Sequence, residues 1–342
     1  MFLFIKKICS ILIGLILFSP LSIQAASNTI KVAVVMPEGS TWTNILHQMT
    51  AEVEKRSNSE VKFKIYAGGI SGDEPDVIRK MRANRIQAAG FSGIGLGLIL
   101  PEFRILESVL LFENHDEIDK VKEVLFDHFA KQFEKKGFVL LGFFEAGNTY
   151  IFSKIPFITP KHFQSLKMWI WKGDKIAERF LKELSVSAFP LSVADVNTGL
   201  ETGLINAFYS PPLAAIVLQW YTRVGYLLDY PLVNSSGAFL MNKREFYRLS
   251  EDNQKILKDS VFKYCHQLVT QTRKENEEAK IVIKESGIKF VEPTPELVEF
   301  LKNSSQKANK ANIPELYSQQ RFEAIEKLLV KIRANYSLKE IQ

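Results

Sequence analysis

Hydrophobic and polar positions in the first third of the chain repeat with two different periods. The run "IKVAVVM" at 30–36 is apolar and β-branched, which predicts a buried strand. A helical repeat from Trp42 to Val53 predicts an amphipathic helix, and "VKFKIYA", which follows it, alternates as a second strand. A helix that opens near Asp76 and the run "IQAAGFSG" complete a β-α-β-α-β order, which predicts an open α/β sheet.

The helix-and-strand unit that begins at Asp76 recurs at Asp195. The stretches "DVIRKMRANRIQAAGFSG" and "DVNTGLETGLINAFYSPP" both predict a helix, a left-handed stop at Asn84 or Gly203, and a short strand. Their apolar residues match in register: Val77 with Val196, Met81 with Leu200, Ile86 with Ile205, and Ala88 with Ala207. We therefore expect two similar lobes that face a shared cleft, because open α/β sheets bind ligands at the carboxyl ends of their strands.

Longer patterns predict how the two lobes are joined. The chain is expected to cross between lobes near Gly147–Ser153, and "KIAERFLKELSV" after Asp174 predicts an amphipathic helix. The helical pattern from Glu251 to Glu285 is longer than most globular helices, so we expect a spine that braces both lobes. The expected limits are a signal peptide at 1–26, a first lobe at 27–148 with part of 235–290 returning to it, a second lobe at 149–234, a spanning helix at 250–285, and C-terminal helices at 286–342.

The amino terminus has the pattern of a secretory signal peptide. Lys6 and Lys7 precede an apolar run from 8 to 18, and the small residues Ala25 and Ala26 close the segment. The alternative is an uncleaved membrane anchor, but the run is shorter than the roughly 20 residues that a spanning helix needs. We expect cleavage and a location in the periplasm of a Gram-negative bacterium.

Charge and reactive residues exclude several classes of function. Removing the signal lowers the net charge from +6 to about +4, which predicts no nucleic-acid partner. The five histidines share no metal-ligand spacing, and Cys265 and His266 point about 100° apart on a helix, so they cannot act as nucleophile and base. We therefore expect no metal, no cofactor and no enzymatic activity. A secreted two-lobed protein of this kind is more typical of solute binding.

The stretch "LKMWIWKGD" at 166–174 contains two of the four tryptophans. On a strand, a period of two places Trp169 and Trp171 on one face, just before a glycine turn and a helix. Contact with a ligand is one interpretation. The alternative is core packing, with Trp171 beneath the helix and Trp220 between the lobes or in the core.

Several stretches resemble, in order, the substrate-binding subunits of TRAP (tripartite ATP-independent periplasmic) transporters of the DctP type. They are "PEGSTW", "YAGGISGDEPDVIRKMRANRIQ", "FSKIPFITPKHFQSLKMW", "VADVNTGLETGLINAFYSPP" and "VLQWYTRVGYLLDYPL". The resemblance implies a two-lobed periplasmic binding protein fold with a hinge, a long helix across both lobes, and a ligand enclosed by closure. It also implies small and large membrane permease subunits as partners, driven by an ion gradient.

Four positions depart from what the resemblance implies. The resemblance implies an arginine that forms a bidentate pair with a substrate carboxylate, but Trp169 stands at that position. Thr149 stands where a second arginine is often found. Ser210 stands where an asparagine is usual, and Ser92 where an acidic or polar residue is usual. We hypothesise a solute that depends less on carboxylate clamping: an organic acid with an apolar or aromatic body, or a neutral or zwitterionic compound.

The expected ligand-binding residues divide by role. Trp169 would stack on the solute, while Ser92, Thr149 and Ser210 would orient it by hydrogen bonds. The remaining candidates are Tyr209, Phe91 and Trp171 in an aromatic wall, Lys172 as a cation from the next turn, and Met36, Glu38 and Trp42 on the side of the first lobe. The protein is expected to be a monomer. Two alternatives remain: a periplasmic sensor subunit that signals to a receptor kinase, and a periplasmic enzyme.

Overall fold

The computed structural model describes residues 28–339, with side chains from 29 to 334, so the expected signal peptide lies outside the described residues. Its ten strands are β1 Asn28–Ala33, β2 Val61–Tyr66, β3 Ala88–Ser92, β4 Phe138–Ser153, β5 Lys167–Trp171, β6 Ser187–Leu191, β7 Ala207–Ser210, β8 Tyr226–Leu228, β9 Val233–Asn242 and β10 Lys289–Val291.

Helices cover both faces of these strands. The α-helices are α1 Thr41–Arg56, α2 Glu74–Arg82, α3 Gly93–Ile99, α4 His115–Lys135, α5 Pro160–Phe163, α6 Lys175–Glu183, α7 Val196–Thr202, α8 Pro212–Val217, α9 Lys243–Phe246, α10 Glu251–Glu285, α11 Pro295–Ala311 and α12 Gln319–Lys339. Three short 3₁₀ helices lie at Pro101–Glu107, Val193–Asp195 and Trp220–Arg223. Among the described residues, no helix combines the length and apolar character that crossing a membrane requires.

The strands form two sheets that share β4. The first sheet has the order β2-β1-β3-β9-β4, and the second continues as β4-β7-β5-β6, with β8 and β10 beside β4. Strand β4 pairs with β9 as far as Thr149, which faces Val233, and with β7 from Tyr150, which faces Ser210. One strand therefore passes from the first lobe to the second, in the region where the sequence predicts the crossing.

The first strand is shorter than expected at its carboxyl end. It ends at Ala33 instead of continuing to Met36. The carbonyl oxygens of Val34 and Met36 accept hydrogen bonds from Gly69 and Gly68, at 3.2 and 2.8 Å. The amide of Val34 still donates to the carbonyl of Tyr66 at the end of β2, at 3.0 Å, but beyond it the chain pairs with this glycine turn and leaves the sheet toward the space between the lobes.

The recurring unit is confirmed as a structural repeat. Helices α2 and α7 are followed by left-handed residues, Asn84 with φ 55° and Gly203 with φ 75°, and then by β3 and β7. The eight matched apolar side chains of the two copies are all buried. Each copy delivers the end of one strand to the gap between the sheets.

Helix α10 spans both lobes, as predicted from its length. It packs against α1 beside the first sheet, against β4, and against α8 beside the second sheet. The side chain of Asn276 on α10 donates to the carbonyl of Ala146 at 2.9 Å and accepts from the amide of Leu213 at 3.0 Å. A Cβ atom at Gly147 would lie 2.4 Å from the Asn276 amide nitrogen, so this close approach of helix and strand requires glycine.

Candidate solute-binding site

A cavity of about 200 Å³ lies between the two lobes. Both strand ends of the repeat reach it, through Phe91 and Ser92 on β3 and through Tyr209 and Ser210 on β7. The segment after β1, helix α1, strand β5, the crossing part of β4 and helix α10 complete its wall. The space between the two sheets is therefore lined by both lobes, at the position where open α/β sheets bind ligands.

Nine of the eleven expected residues lie on the cavity wall: Met36, Trp42, Phe91, Ser92, Thr149, Trp169, Trp171, Tyr209 and Ser210. Glu38 and Lys172 do not. The Glu38 side chain is 64% exposed, and its Oε1 lies 2.6 Å from His47 Nε2 on the outer surface. Lys172 is exposed in the turn that follows the end of β5 at Trp171. The structure thus leaves both charged candidates outside the cavity.

Trp169 is a fixed part of this wall. It is buried, and its Nε1 donates to the carbonyl of Leu191 at 3.1 Å. Its ring stacks on Tyr209 at 5.2 Å between centroids and meets Trp220 edge-on at 5.0 Å. Aromatic rings in these geometries stabilise the fold by more than the burial of their apolar surface alone. Trp220 packs in the same buried cluster and also reaches the cavity, so core packing and wall lining coincide there.

Trp171 connects the two lobes. Its ring centroid lies 6.3 Å from that of Trp169, as expected for side chains two residues apart on one strand. Its Nε1 donates to Asp73 Oδ2 at 3.2 Å, and Asp73 is the N-cap of α2 beside the first sheet. The side chain therefore lines the cavity and also holds the gap closed.

The serine hydroxyls on the wall already bond to the protein. Ser92 Oγ donates to Glu74 Oε2 at 2.8 Å and accepts from the amide of Ile94 at 3.2 Å. Ser210 Oγ donates to the carbonyl of Pro211 at 2.9 Å. Because a hydroxyl has one proton to donate, these groups can offer a solute lone pairs but no hydrogen.

A buried polar cluster borders the cavity, and of its members the sequence analysis proposed only Tyr209 as a ligand contact; we call Arg104, Glu107, Asp174 and Tyr209 the cavity cluster. Arg104 donates from Nη2 to Asp174 Oδ1 at 2.7 Å, and its Nε lies 2.9 Å from Glu107 Oε2. Tyr209 OH donates to Asp174 Oδ2 at 2.6 Å, and the amide of Ser236 donates to Glu107 Oε1 at 3.1 Å. Since Arg104 lies beside the first sheet and Asp174 caps α6 beside the second, this ion pair also crosses between the lobes.

The sequence did contain a signal for this cluster. Arg104 and Glu107 stand three residues apart inside the apolar run "FRILESVLLF", where charges are rarely buried unless they are paired. Their partner Asp174 ends the "LKMWIWKGD" stretch, where it caps the following helix by accepting from the amide of Ala177 at 3.2 Å. Only the fold brings the two segments together.

Two carboxyl groups on the wall are held in an apolar environment. Burial raises the pKa of Glu107 to about 7, although the nearby Arg104 opposes this change. Burial likewise raises the pKa of Glu74 to about 7, against the hydrogen bonds from Ser92. Of the described residues that line the cavity, none is a lysine, an arginine or a histidine.

Comparison with known proteins identifies the family. The sequence profile of the DctP family, described as bacterial extracellular solute-binding protein family 7, matches residues 32–316. The chain belongs to the DctP family. A relative in Ruegeria pomeroyi, named as an ectoine/5-hydroxyectoine-binding periplasmic protein, is 22% identical over 75% of this chain and 80% of its own length. A solute-binding protein of Chromohalobacter salexigens is 23% identical over 70% of this chain and 66% of its own length.

Solved structures of DctP-type receptors share the two-lobed fold. A Bordetella pertussis solute receptor that binds pyroglutamic acid aligns with a TM-score of 0.82 at 17% identity, over 88% of this chain and 100% of that one. A TRAP periplasmic solute-binding protein of Desulfovibrio desulfuricans, with bound sn-glycerol-3-phosphate, also reaches 0.82 at 24% identity, over 90% of this chain and 97% of that one. At these identities the likeness establishes the fold alone.

Proposed function

We propose that this protein is the periplasmic solute receptor of a TRAP-type transporter, which encloses a small organic solute between its two lobes and delivers it to membrane permease subunits. The supporting observation is the cavity between the lobes at the ends of β3 and β7, with aromatic rings from both lobes on its wall. Family membership, over residues 32–316, supports the same function.

The limits of the lobes belong to this proposal. We assign 27–148 and the returning part of 235–290 to the first lobe, and 149–234 to the second. The contacts from Trp171 to Asp73 and from Arg104 to Asp174 would form only when the lobes close, because each pair has one member beside each sheet. Solute binding would then shift the protein toward this closed form by adding contacts to both walls at once.

The solute-binding residues are proposed to be the nine that line the cavity. Trp169 and Tyr209 would form a flat aromatic face against the solute body, and Thr149 would offer a hydroxyl at the crossing. The description of the family as solute-binding proteins supports a receptor instead of an enzyme.

The test is a thermal-shift screen of residues 27–342, purified by unfolding and refolding to remove bound solutes. The panel pairs carboxylic acids with their amides and alcohols. A solute present at about 100 times its dissociation constant stabilises the folded state by about 2.7 kcal/mol. Any hit is followed by small-angle scattering, where the receptor should become more compact. If no solute stabilises or compacts the protein, the receptor function is wrong; turnover of a bound solute would favour an enzyme.

A further inference from the structure

The cavity cluster uses internally the groups that a bound carboxylate would need. Arg104 is buried at 5% exposure, and both of its contacts are to the protein's own carboxylates, Asp174 and Glu107. The backbone amide of Ser236 is likewise directed to Glu107. On the other wall, the amide of Ser92 donates to Glu74 Oε1 at 2.6 Å. An anion that entered this cavity would find Arg104 already paired with two carboxylates of the protein, and the amides of Ser236 and Ser92 already bonded.

The formal charge of the wall acts in the same direction. Glu107 and Glu74 are the carboxyl groups on the wall, and the charges of Arg104 and Asp174, which lie outside the wall, cancel each other, so the wall is acidic wherever these glutamates are ionised. An anionic solute would be repelled at short range in a medium where charges are poorly screened. It would also lose its hydration without a compensating partner, which costs several kcal/mol for a buried ion.

A buried cation is not favoured either. Burial in apolar surroundings raises the pKa values of Glu107 and Glu74 to about 7, so both groups are mostly protonated below that pH. Near neutral pH a large part of each group is uncharged, and it then offers little countercharge to an ammonium group. The remainder of the wall is mainly aromatic and aliphatic, which suits uncharged surface.

From these contacts we propose that the cavity selects an uncharged, mainly apolar solute, and that Glu107 sets this specificity by taking the place of a solute carboxylate beside Arg104. The inference rests on the proposed receptor function and narrows its substrate class. The cavity volume of about 200 Å³ is larger than the roughly 150 Å³ of an apolar cavity that holds benzene, so a ring with a short polar arm fits.

The first experiment needs no variant of the protein. A bacterial metabolite extract is separated on ion-exchange resins into anionic, cationic and uncharged pools, and each is tested for stabilisation of the refolded protein. Stabilisation by the uncharged pool supports the inference. Stabilisation by the anionic or cationic pool alone overturns it and leaves the receptor function intact. If none of the pools stabilises the protein, the receptor function fails and the inference fails with it.

The second experiment uses one ring with three end groups: phenylacetamide, phenylacetate and phenethylamine. The amide is compared with the acid at about pH 8, where Glu107 is mostly ionised, and with the amine at about pH 6, where Glu107 and Glu74 are mostly protonated; binding is followed by tryptophan fluorescence. The amide should bind at least about tenfold more tightly than the acid or the amine, because it enters without a net charge. Equal or tighter binding of the acid or the amine would overturn the proposed selectivity.

The variant Glu107→Gln tests the specificity role directly. It removes one negative charge beside Arg104, so phenylacetate should bind about tenfold more tightly than to the parent protein, while the amide changes by less than about threefold. Glu299→Gln, at an exposed position on α11, is the matched control and should change neither affinity. If Glu107→Gln does not gain affinity for the acid while it still binds the amide, Glu107 does not set the specificity.

Discussion

Two buried carboxylates, Glu107 and Glu145, show how the protein treats charge differently in its cavity and at its strand crossing. Glu145 belongs to a group that we call the strand-crossing cluster: Glu145, Lys122, Arg273 and Asp119. Arg273 donates to both Glu145 oxygens, at 2.8 and 3.0 Å, and Lys122 Nζ lies 3.3 Å away. Burial alone would raise the pKa of Glu145, yet the two cations lower it to about 2. The pKa of Glu107 rises to about 7.

The difference lies in the ratio of cations to carboxylates. At the crossing, two cations face one fully buried carboxylate, and Arg273 also forms a bidentate pair with the partly exposed Asp119. In the cavity, one arginine is shared between Glu107 and Asp174. The first cluster ties α10 and α4 to β4, which supports the position where the chain passes between lobes. The second leaves a carboxyl that can gain or lose its proton at low cost, beside the solute space.

The largest expected effect is the loss of stability in Glu145→Gln. This change removes the negative charge that neutralises Lys122 and Arg273 in a buried site. Removing one partner of a buried ion pair in this way costs about 3–5 kcal/mol of stability. Glu107→Gln should cost less than about 1 kcal/mol at pH 7, because an amide can replace a carboxyl that is already partly protonated. Urea unfolding of the two variants measures the contrast. Similar losses of unfolding free energy in both variants would show that the two carboxyl groups contribute equally to stability, against this comparison.

The next effect is the dependence of stability on pH. In the unfolded chain a glutamate loses its proton near 4.5, whereas folded Glu107 and Glu74 keep theirs to about 7. Between these values the folded state binds more protons, so the free energy of unfolding should fall as pH rises, by up to about 3 kcal/mol for each group. Glu145 acts in the opposite sense, because its stabilisation is lost as pH falls from 4.5 toward 2.

Unfolding in urea between pH 4.5 and 8.5 tests this sign. Glu107→Gln should reduce the fall by about half, since only Glu74 then contributes. Glu299→Gln should leave the curve unchanged. A wild-type curve that rises with pH over this range would mean that neither cavity carboxyl holds its proton in the folded state.

The sequence predicted the fold better than the chemistry of the site, and the reason is the range of the contacts. The repeat, the left-handed residues Asn84 and Gly203, and the limits of α10 follow from local periodicity, so sequence patterns suffice. The aromatic wall was found because Trp169 and Trp171 share a strand. The pairing of Arg104 with Asp174 joins residues 70 positions apart, and no local pattern determines which charges meet across the gap.

A smaller effect is expected from Tyr209→Phe within the cavity cluster. The change removes the hydroxyl that donates to Asp174 Oδ2 at 2.6 Å, and hydrogen bonds to charged groups contribute about 1.5–3 kcal/mol. Tyr247→Phe is the matched control, because its hydroxyl also donates to a carboxylate, Glu134, at 3.0 Å but on the exposed surface. Its loss should be below about 0.5 kcal/mol. Equal losses would mean that the Asp174 contact is no stronger for being buried.

The smallest expected effect is on solute affinity, when a contact between the lobes is removed. Trp171→Phe keeps an aromatic ring on the wall and removes the N–H that donates to Asp73 Oδ2 at 3.2 Å. A net contribution of about 1 kcal/mol to the closed form would weaken solute affinity by about fivefold. The free energy of unfolding of each lobe should change less than the free energy of solute binding, because the bond joins the lobes and stabilises neither one alone.

Asp73→Asn distinguishes this contact from the N-cap function of Asp73. Asparagine caps a helix about as well as aspartate and keeps a carbonyl acceptor, so α2 should remain intact while the contact loses its charge. The affinity of Asp73→Asn for the solute should therefore fall between those of the parent protein and Trp171→Phe. If Trp171→Phe binds solute as tightly as the parent and compacts equally in solution scattering, the bond to Asp73 accompanies closure without stabilising it, and the Arg104–Asp174 ion pair is left as the contact that holds the lobes together.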